Sequence, residues 1–251
     1  MITCIIQARM SSSRLPGKVM QKISENKRVI DFVINQLQGS KRIEKIIVAI
    51  PDEREDDVTY DHLMSKNIFT FRGSLNNVLD RYYQCAKSNS SSIIIRITAD
   101  CPLIDSVIVD EIVDCYQTKN CDYVSNTINP SFPDGLDTEV FSFEALKRAW
   151  GEAVTPSERE HVTPYLYNHP EIFKTYNYAN HVDHSGMRWV VDEEVDYLFV
   201  TEVYKHLYKY GEIFYMDDVL ELLSKHPELN SINKNIKRNE GYMKSIEGDK
   251  K

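Results

Sequence analysis

The residues with the clearest capacity for chemistry lie near the start of the chain, in a loop that follows a short apolar run. Arg9, Arg14 and Lys18 share this loop with the turn-forming pair Pro16-Gly17. Side chains and backbone amides that converge behind a buried strand can bind one anion through many hydrogen bonds. The loop therefore predicts a polyphosphate site. It is not a Walker A loop, because Val19 follows the lysine where that motif requires serine or threonine.

Two carboxylates stand where predicted strands end. Asp100 follows the apolar run 93–97, and Asp192 closes the run 188–192. Magnesium takes one or two carboxylates together with phosphate oxygens and water, so the pair could hold a metal against the phosphates of a nucleotide. Capping of a helix or turn would explain either aspartate as well. Asp105 fits an N-cap, and the acids that follow Asp192 suit the start of a helix.

Polar residues also follow a third predicted strand. Arg72 and Ser74 could contact a base or a phosphate, whereas Asp80 and Arg81 fit the polar face of the next helix. Two further motifs favour a structural interpretation. The cluster 181–184, with sequence HVDH, lacks a further ligand and is expected to be solvated. Cys101 has no paired base and is expected to line a pocket.

The second half of the chain has two polar segments after helix-breaking residues. The first runs from Asp134 to Glu139, and the second from Ser157 to His161. Ser157 and Glu160 have the spacing of a capping box, which would explain those two residues without a substrate. Arg159 and His161 then remain as candidates for binding an acceptor molecule.

The elements that position these residues alternate between strand and helix. Buried strands are predicted at 2–6, 46–50, 68–71 and 93–97, and apolar stripes predict helices at 29–37 and 78–86. Further helices are expected near Phe143 and Ser157 and at 194–208, the last with Val195, Leu198, Phe199, Val203 and Leu207 facing inward. A strand is expected at 188–192. Alternation of this kind predicts right-handed βαβ units and ligands bound outside the carboxyl ends of the strands.

One domain is predicted over residues 1–231, with a nucleotide half at about 1–125 and an acceptor half at about 126–231. Residues 232–251 are expected to form a loosely held polar tail, in which 239–242 could dock. The chain has 251 residues and a net charge of −8, which argues against nonspecific binding of nucleic acid. Five cysteines without CxxC spacing indicate reduced thiols. With no leader or transmembrane run, a cytoplasmic protein without membrane contact is expected.

Several segments together resemble one protein family. They are Ile5 to Met10, Ser13 to Lys18, Phe71 to Ser74, Arg96 to Asp105, Asp134 to Asp137 and Arg188 to Asp192. The chain resembles the spore coat polysaccharide biosynthesis branch of the cytidylyltransferases, a group related to the CMP-ketodeoxyoctonate and CMP-sialate synthetases. The resemblance covers roughly residues 2–208. Family members often carry glycine where Ser11 stands, and a positive φ there would strain a serine.

The resemblance implies a Rossmann-like, glycosyltransferase-A-like nucleotidyltransferase fold with a mostly parallel central sheet. It implies an enzyme that uses CTP and Mg²⁺, with Arg9, Arg14 and Lys18 on the triphosphate and Asp100 and Asp192 on the metal. Lys18, Arg14 and Asp100 would be the catalytic residues. The positions expected near the nucleotide are Ala8, Arg9, Arg14, Lys18, Arg72, Ser74, Thr98 and Ala99. Those expected on the acceptor side are Asp134, Asp137, Glu139, Arg159, His161 and Arg188.

The function that follows is transfer of CMP from CTP to an acidic sugar or phosphorylated acceptor, with release of pyrophosphate, in surface polysaccharide or glycan biosynthesis. A homodimer is expected from the resemblance. A glycosyltransferase of similar architecture is an alternative, but it would be expected to carry a DxD-type motif, which Asp100-Cys101-Pro102 is not. A noncatalytic nucleotide-binding protein of the same pathway is a second alternative, which predicts CTP binding without turnover.

Overall fold

The four buried strands predicted from the apolar runs belong to a seven-stranded sheet at the centre of the molecule. The computed structural model describes residues 1–24, 26–209, 212–234, 236, 238 and 240–249, without the side chains of residues 240, 241 and 244. The strands are β1 (Ile2–Gln7), β2 (Lys22–Ser24), β3 (Lys27–Arg28), β4 (Lys45–Pro51), β5 (Thr70–Gly73), β6 (Ile93–Thr98), β7 (Tyr123–Ser125), β8 (Glu139–Ser142) and β9 (Thr175–Asn177). The main sheet has the order β5-β4-β1-β6-β8-β7-β9, and β2 pairs with β3.

Most strand pairs of the main sheet are parallel. Strand β1 lies between β4 and β6 and is parallel to both. The pairs β4–β5 and β7–β9 are also parallel. Strand β8 runs antiparallel to its neighbours β6 and β7. The predicted α/β class with a mostly parallel sheet is therefore confirmed. Gln7 lies opposite Thr98, so β1 and β6 end at the same level. The loop with the three cations and the loop with Asp100 consequently leave the sheet side by side.

Helices cover both faces of the sheet. They are α1 (Val29–Leu37), α2 (Asp57–Ser65), α3 (Val78–Ser88), α4 (Ser106–Lys119), α5 (Phe143–Glu152), α6 (Pro156–His161), α7 (Pro164–Asn168), α8 (Glu194–Leu207), α9 (Met216–Lys225) and α10 (Glu240–Asp249). Cys4 and Ile6 of β1 pack with α1, α4, α8 and α9, and Ile5 packs with α3, α5 and α7. Because successive residues face opposite sides, a strand buried on both faces is apolar throughout. Over the described ranges, no helix combines the length and the apolar composition needed to span a bilayer.

The prediction of a strand at residues 188–192 is wrong. This segment forms one isolated parallel bridge, between Asp134 and Arg188, and is otherwise irregular. Its backbone amides bond to loops, since Trp189 donates to the Asp134 carbonyl at 2.6 Å and Val191 donates to the Asp100 carbonyl at 2.7 Å. The apolar residues of the segment are buried without a neighbouring strand, which a pattern of hydrophobic residues does not reveal.

Two predictions about helix faces are also wrong. Val195 and Leu198 of α8 are 36% and 48% exposed, whereas Asp196 is fully buried on the face shared with Phe199 and Val203. In α3, Arg81 is not on a polar face but fully buried, and it donates to the Ser74 carbonyl at 3.0 Å. Each helix therefore buries a charged residue on a face where the hydrophobic periodicity predicts only apolar residues.

Asp105 is the N-cap predicted from the sequence, and it also joins two helices. One carboxylate oxygen accepts from the amides of Val107 and Ile108 at the start of α4, and the other accepts from the amide of Met216 at the start of α9. Asp105→Ala is expected to lower the free energy of unfolding by about 2 kcal/mol, because a cap is lost and a second helix loses an acceptor. Urea denaturation followed by circular dichroism measures this change.

The matched control for this cap is Asn77→Ala. Asn77 is the N-cap of α3 and accepts one bond, from the amide of Asp80 at 3.0 Å. We expect its replacement to cost about 1 kcal/mol, the usual value for a single cap. Equal losses in the two variants would show that the bond from Met216 to Asp105 adds nothing.

Candidate active site

The loop after β1 is held in shape by its own backbone and by one buried aspartate. The amides of Ser12 and Gly17 both donate to the Met10 carbonyl at 2.9 Å. The amide of Met10 in turn donates to Asp56 at 2.9 Å. Gly17 has a φ of 70°, a left-handed conformation that glycine adopts without strain. Ser11 is not among the described non-glycine residues with positive φ, so the strain considered for it does not arise.

Three of the predicted site residues meet in one ionic contact. The Nζ of Lys18 lies 2.5 Å from Oδ2 of Asp100 and 2.6 Å from Oδ1 of Asp192. Arg14 donates to the other oxygen of Asp192 at 2.7 Å. Burial opposes charge on both Lys18 and Asp100, but their mutual attraction outweighs it, so the pKa of Lys18 is raised and the pKa of Asp100 is lowered. Lys18 and Asp100 are therefore both charged at neutral pH.

Neither aspartate has the capping role that the sequence left open. The N-cap of α8 is Glu193, whose partner in a capping box is Asp196, so Asp192 lies just before the helix. Asp100 lies in the turn after β6, and its carboxylate faces Lys18. Both carboxylates are thus directed into the cleft at the carboxyl edge of the sheet.

Asp192 is held in place by Arg188, which sequence analysis assigned to the acceptor. The Arg188 side chain is 5% exposed and donates through Nε and Nη2 to Asp196, both at 2.9 Å. It also donates to Asp134 at 2.9 Å and to Asp192 at 3.3 Å. Attraction from these carboxylates raises the pKa of Arg188 despite its burial. The geometry makes Arg188 a positioning residue, and its contact with an acceptor stays a prediction.

A glycine allows Asp134 to reach Arg188. Gly135 has a φ of 112°, and a Cβ at this position would lie 2.7 Å from the carbonyl carbon of Trp189. A side chain would therefore push the two segments apart. The turn-rich sequence around Gly135 is read correctly as a turn, but its close approach to the backbone of residue 189 depends on the tertiary fold.

A cavity of about 420 Å³ opens at the carboxyl ends of β1 and β6. The predicted site residues that line it are Ala8, Arg9, Arg14, Lys18, Thr98, Ala99, Asp100, Asp134, His161, Arg188 and Asp192. Sequence analysis missed Arg96 and Tyr242, which line the same cavity. An arginine inside the otherwise apolar β6 was the available signal for Arg96, because a buried charge requires a partner.

Arg72, near the end of β5, and Ser74, just after it, are predicted near the nucleotide but lie outside this cavity. Arg72 pairs with Asp57 at 2.7 Å and with Asp52 at 3.1 Å. The hydroxyl of Ser74 accepts from the amide of Asn77 at 3.0 Å. The Ser74 bond shapes the turn between β5 and α3, whereas Arg72 joins β5 to the segment 52–57. The proposed nucleotide contacts of Arg72 and Ser74 stay predictions.

Three residues predicted on the acceptor side also lie outside the cavity. Glu139 forms a buried ion pair with Arg96 and accepts from the hydroxyl of Tyr123 at 2.6 Å. Asp137 forms an ion pair with Arg238. Arg159 donates to the carbonyl of residue 153 at 2.7 Å. Glu139 and Asp137 thus balance buried arginines that the sequence pattern did not connect to them.

The cap of α6 differs from the one considered in the sequence. Thr155 and Glu158 form the capping box, so the Ser157–Glu160 pairing is wrong by two residues. Pro156 takes the first helical position, which suits its fixed φ. Glu160 and His161 are therefore at the end of α6, and Glu160 lies 3.8 Å from Arg9.

Several residues of the segment 232–251, which is expected to form a loosely held tail, contact the site. Asn233 donates to the Arg188 carbonyl at 3.0 Å and to Asp196 at 2.9 Å. Arg238 pairs with Asp137 and donates to the carbonyl of Phe132 at 3.1 Å. Residue 239, the first of the stretch expected to dock, lies outside the described residues. The predicted division into two halves and a tail otherwise stays a prediction.

Helix α10 packs against α6 and brings Tyr242 to the cavity. The rings of His161 and Tyr242 meet edge to face with centroids 4.9 Å apart. His161 also contacts the Ser245 hydroxyl at 3.0 Å, and Asp249 accepts from the amide of Ser157 at 3.1 Å. Burial lowers the pKa of His161, so its ring is neutral at neutral pH.

The donor set of the cavity fits a magnesium–triphosphate complex. Two carboxylates, Asp100 and Asp192, match the one or two that magnesium takes when phosphate oxygens supply further ligands. A resident metal held by protein alone would require more ligands, and the described residues contain no group of three or more His, Cys, Asp or Glu side chains suited to one. Among these described residues, no such group includes positions 181–184, and the five cysteines form no disulfide with one another.

Comparison with known proteins agrees with this geometry. Residues 3–236 match the family described as cytidylyltransferase. The chain is 34% identical to an uncharacterized protein of Methanocaldococcus jannaschii, over 93% of this chain and 95% of that one. It is 28% identical to the spore coat polysaccharide biosynthesis protein SpsF of Bacillus subtilis, over 90% and 95% of the two chains.

The fold is shared with a solved member of that family. The structure of a cytidylyltransferase from Leptospira borgpetersenii superposes with a TM-score of 0.86 at 33% identity, covering 94% of this chain and 98% of that one. The nucleotidyltransferase fold and the family suggested by the sequence motifs are thereby confirmed. The chain belongs to the cytidylyltransferase family.

Proposed function

We propose that this cytidylyltransferase transfers CMP from CTP to an acidic sugar or phosphorylated acceptor, with release of pyrophosphate, in surface polysaccharide or glycan biosynthesis. The observation that carries the proposal is the meeting of Lys18, Asp100 and Asp192 in a cavity at the carboxyl ends of β1 and β6. This edge of an open α/β sheet is where such folds bind ligands. A site with paired carboxylates beside several cations suits a metal-bound triphosphate.

In the proposed reaction, an acceptor oxygen attacks the α-phosphorus of CTP in line. A bond forms between that oxygen and phosphorus, the bond to the bridging oxygen breaks, and the electron pair leaves with pyrophosphate. Arg9, Arg14 and Lys18 bind the triphosphate and stabilise the charge that develops on its oxygens. Asp100 and Asp192 would hold Mg²⁺, which supplies further positive charge to the phosphates.

The need for a proton acceptor depends on the acceptor. An ionised phosphate oxygen can attack directly, whereas a sugar hydroxyl must lose its proton. The ring of His161 lines the cavity, and because its pKa is lowered by burial it is neutral and can accept that proton as a base during the reaction. The proposed enzyme acts as a homodimer in the cytoplasm, and light scattering on the purified protein tests the dimer.

The test of the reaction is a pyrophosphate-release assay with CTP, Mg²⁺ and a panel of acidic sugars and phosphorylated metabolites. We expect pyrophosphate and a CMP-linked product with at least one acceptor, and weaker binding of ATP, GTP and UTP in calorimetry. Release of a nucleoside diphosphate from a sugar nucleotide would instead identify a glycosyltransferase. Tight CTP binding without turnover on any acceptor would identify a noncatalytic binding protein.

A further inference from the structure

Lys18 occupies the position between the two carboxylates proposed to bind magnesium. Its Nζ contacts Asp100 at 2.5 Å and Asp192 at 2.6 Å, and the three side chains are 10%, 19% and 17% exposed. One ammonium group thus satisfies the facing oxygens of both aspartates in a site with little access to solvent. A metal ion bound to either of these oxygens would lie within a few ångströms of the ammonium charge, so it is repelled while this contact persists.

The remaining carboxylate oxygens also face groups of the chain. Oδ2 of Asp192 accepts from Arg14 at 2.7 Å and from Arg188 at 3.3 Å. Oδ1 of Asp100 lies 3.6 Å from the Sγ of Cys101. A divalent cation approaching alone would be repelled by the positive charges of Lys18, Arg14 and Arg188, because like charges in a partly buried site repel strongly.

The backbone around Lys18 is fixed, so its side chain is the part able to move. Lys18 starts a short 3₁₀ turn over Lys18–Met20, in which Val19 and Met20 are buried at 2% and 7% exposure. The amide of Lys18 donates to the Leu15 carbonyl at 3.2 Å. A lysine has a flexible four-carbon stem and a compact charge, so it can exchange one anion for another without displacement of the loop.

We infer that Lys18 holds Asp100 and Asp192 until a triphosphate offers it another anion, so that the metal ion enters with the nucleotide and not before it. This inference rests on the proposed function. The substrate is then the metal–CTP complex, and Lys18 has two positions, one on the carboxylates and one on the phosphates. Lys18 therefore lowers the affinity for metal alone while it raises the affinity for metal with CTP.

The test measures metal binding without nucleotide in the purified full chain. Mn²⁺ is titrated into the wild type, Lys18→Met and Lys22→Met, and free Mn²⁺ is followed by electron paramagnetic resonance. Lys22 is exposed, so its replacement removes the same charge nearby without touching the carboxylates. We assume that the wild-type carboxylates are free of Lys18 for about 1–10% of the time. Lys18→Met should then bind Mn²⁺ about 10–100-fold more tightly than the wild type, whereas Lys22→Met should bind it as the wild type does.

Two results would overturn the inference. One is equal Mn²⁺ affinity in the wild type and Lys18→Met. The other is binding of Mn²⁺ alone to the wild type as tight as its binding with CTP, which needs no variant and applies even if Lys18→Met fails to fold. Calorimetry with Mn²⁺ and CTP together separates the two proposals, because absence of binding there would contradict the proposed function itself.

Discussion

Replacing Arg188 by methionine is expected to lower the free energy of unfolding by about 3–5 kcal/mol, because three carboxylates lose the guanidinium that balances them. Asp196 is fully buried, and the Asp134 and Asp192 side chains are 12% and 17% exposed. Methionine fills a similar volume but donates no hydrogen bond. Urea denaturation monitored by circular dichroism measures the loss.

A pH series separates a charge effect from poor packing. Protonation of the orphaned carboxylates removes charge that Arg188 no longer balances, so the difference between variant and wild type should shrink as the pH falls from about 7 to about 4. A deficit independent of pH would indicate a packing defect. The control is Arg148→Met, which removes an exposed pair with Glu152 and should change stability little. A loss of less than about 1 kcal/mol in Arg188→Met would contradict the positioning role.

The largest expected effect on catalysis is that of Asp100→Asn. The substitution keeps the shape of the side chain but removes the charge that faces Lys18 and would hold the metal. We expect the rate with an acceptor found in the pyrophosphate assay to fall about 10²–10³-fold, as when one preorganised electrostatic contact is removed from an active site. The Mg²⁺ concentration for half-maximal rate should rise as well.

Asp183→Asn provides the matched control for this variant. Asp183 lies in the exposed segment 181–184 and accepts from the amide of Ser185 at 2.9 Å, outside the cavity. Its rate and Mg²⁺ requirement should match those of the wild type. If Asp100→Asn retained the rate within severalfold, Asp100 would not be a metal ligand of this reaction.

The central strands could be predicted from the sequence, whereas the outer half of the sheet could not. β1, β4 and β6 are mostly apolar because both faces are buried, so each is recognisable by itself. β7 and β9 have three residues each, too few for a periodic pattern. The segment 188–192 is equally apolar, but it is buried by loops, which a pattern of residues cannot distinguish from a strand.

The same contrast holds for the candidate site. Lys18 and Asp100 could be placed together from the sequence, because parallel strands end at one edge of the sheet. The partners of Arg188 could not be predicted. Asp134 comes from a distant turn, and Asp196 lies on the face of α8 that the sequence pattern predicts to be apolar. Tyr242 was missed for a similar reason: its helix docks onto α6 through contacts that lie far apart in the sequence.

The contacts made by residues 233–249 also bear on the order in which the protein matures. A ribosome releases the loop after β1 first, and residues 233–249 emerge only after every strand of the sheet has been synthesised. The edge of the sheet that is proposed to bind the nucleotide can therefore assemble on the growing chain, since folding during synthesis starts from the N-terminal side. The wall that Tyr242 contributes closes later. A nascent chain with a complete sheet still has an open cavity, and the wall that the proposed reaction would use is added only after residue 242 has emerged.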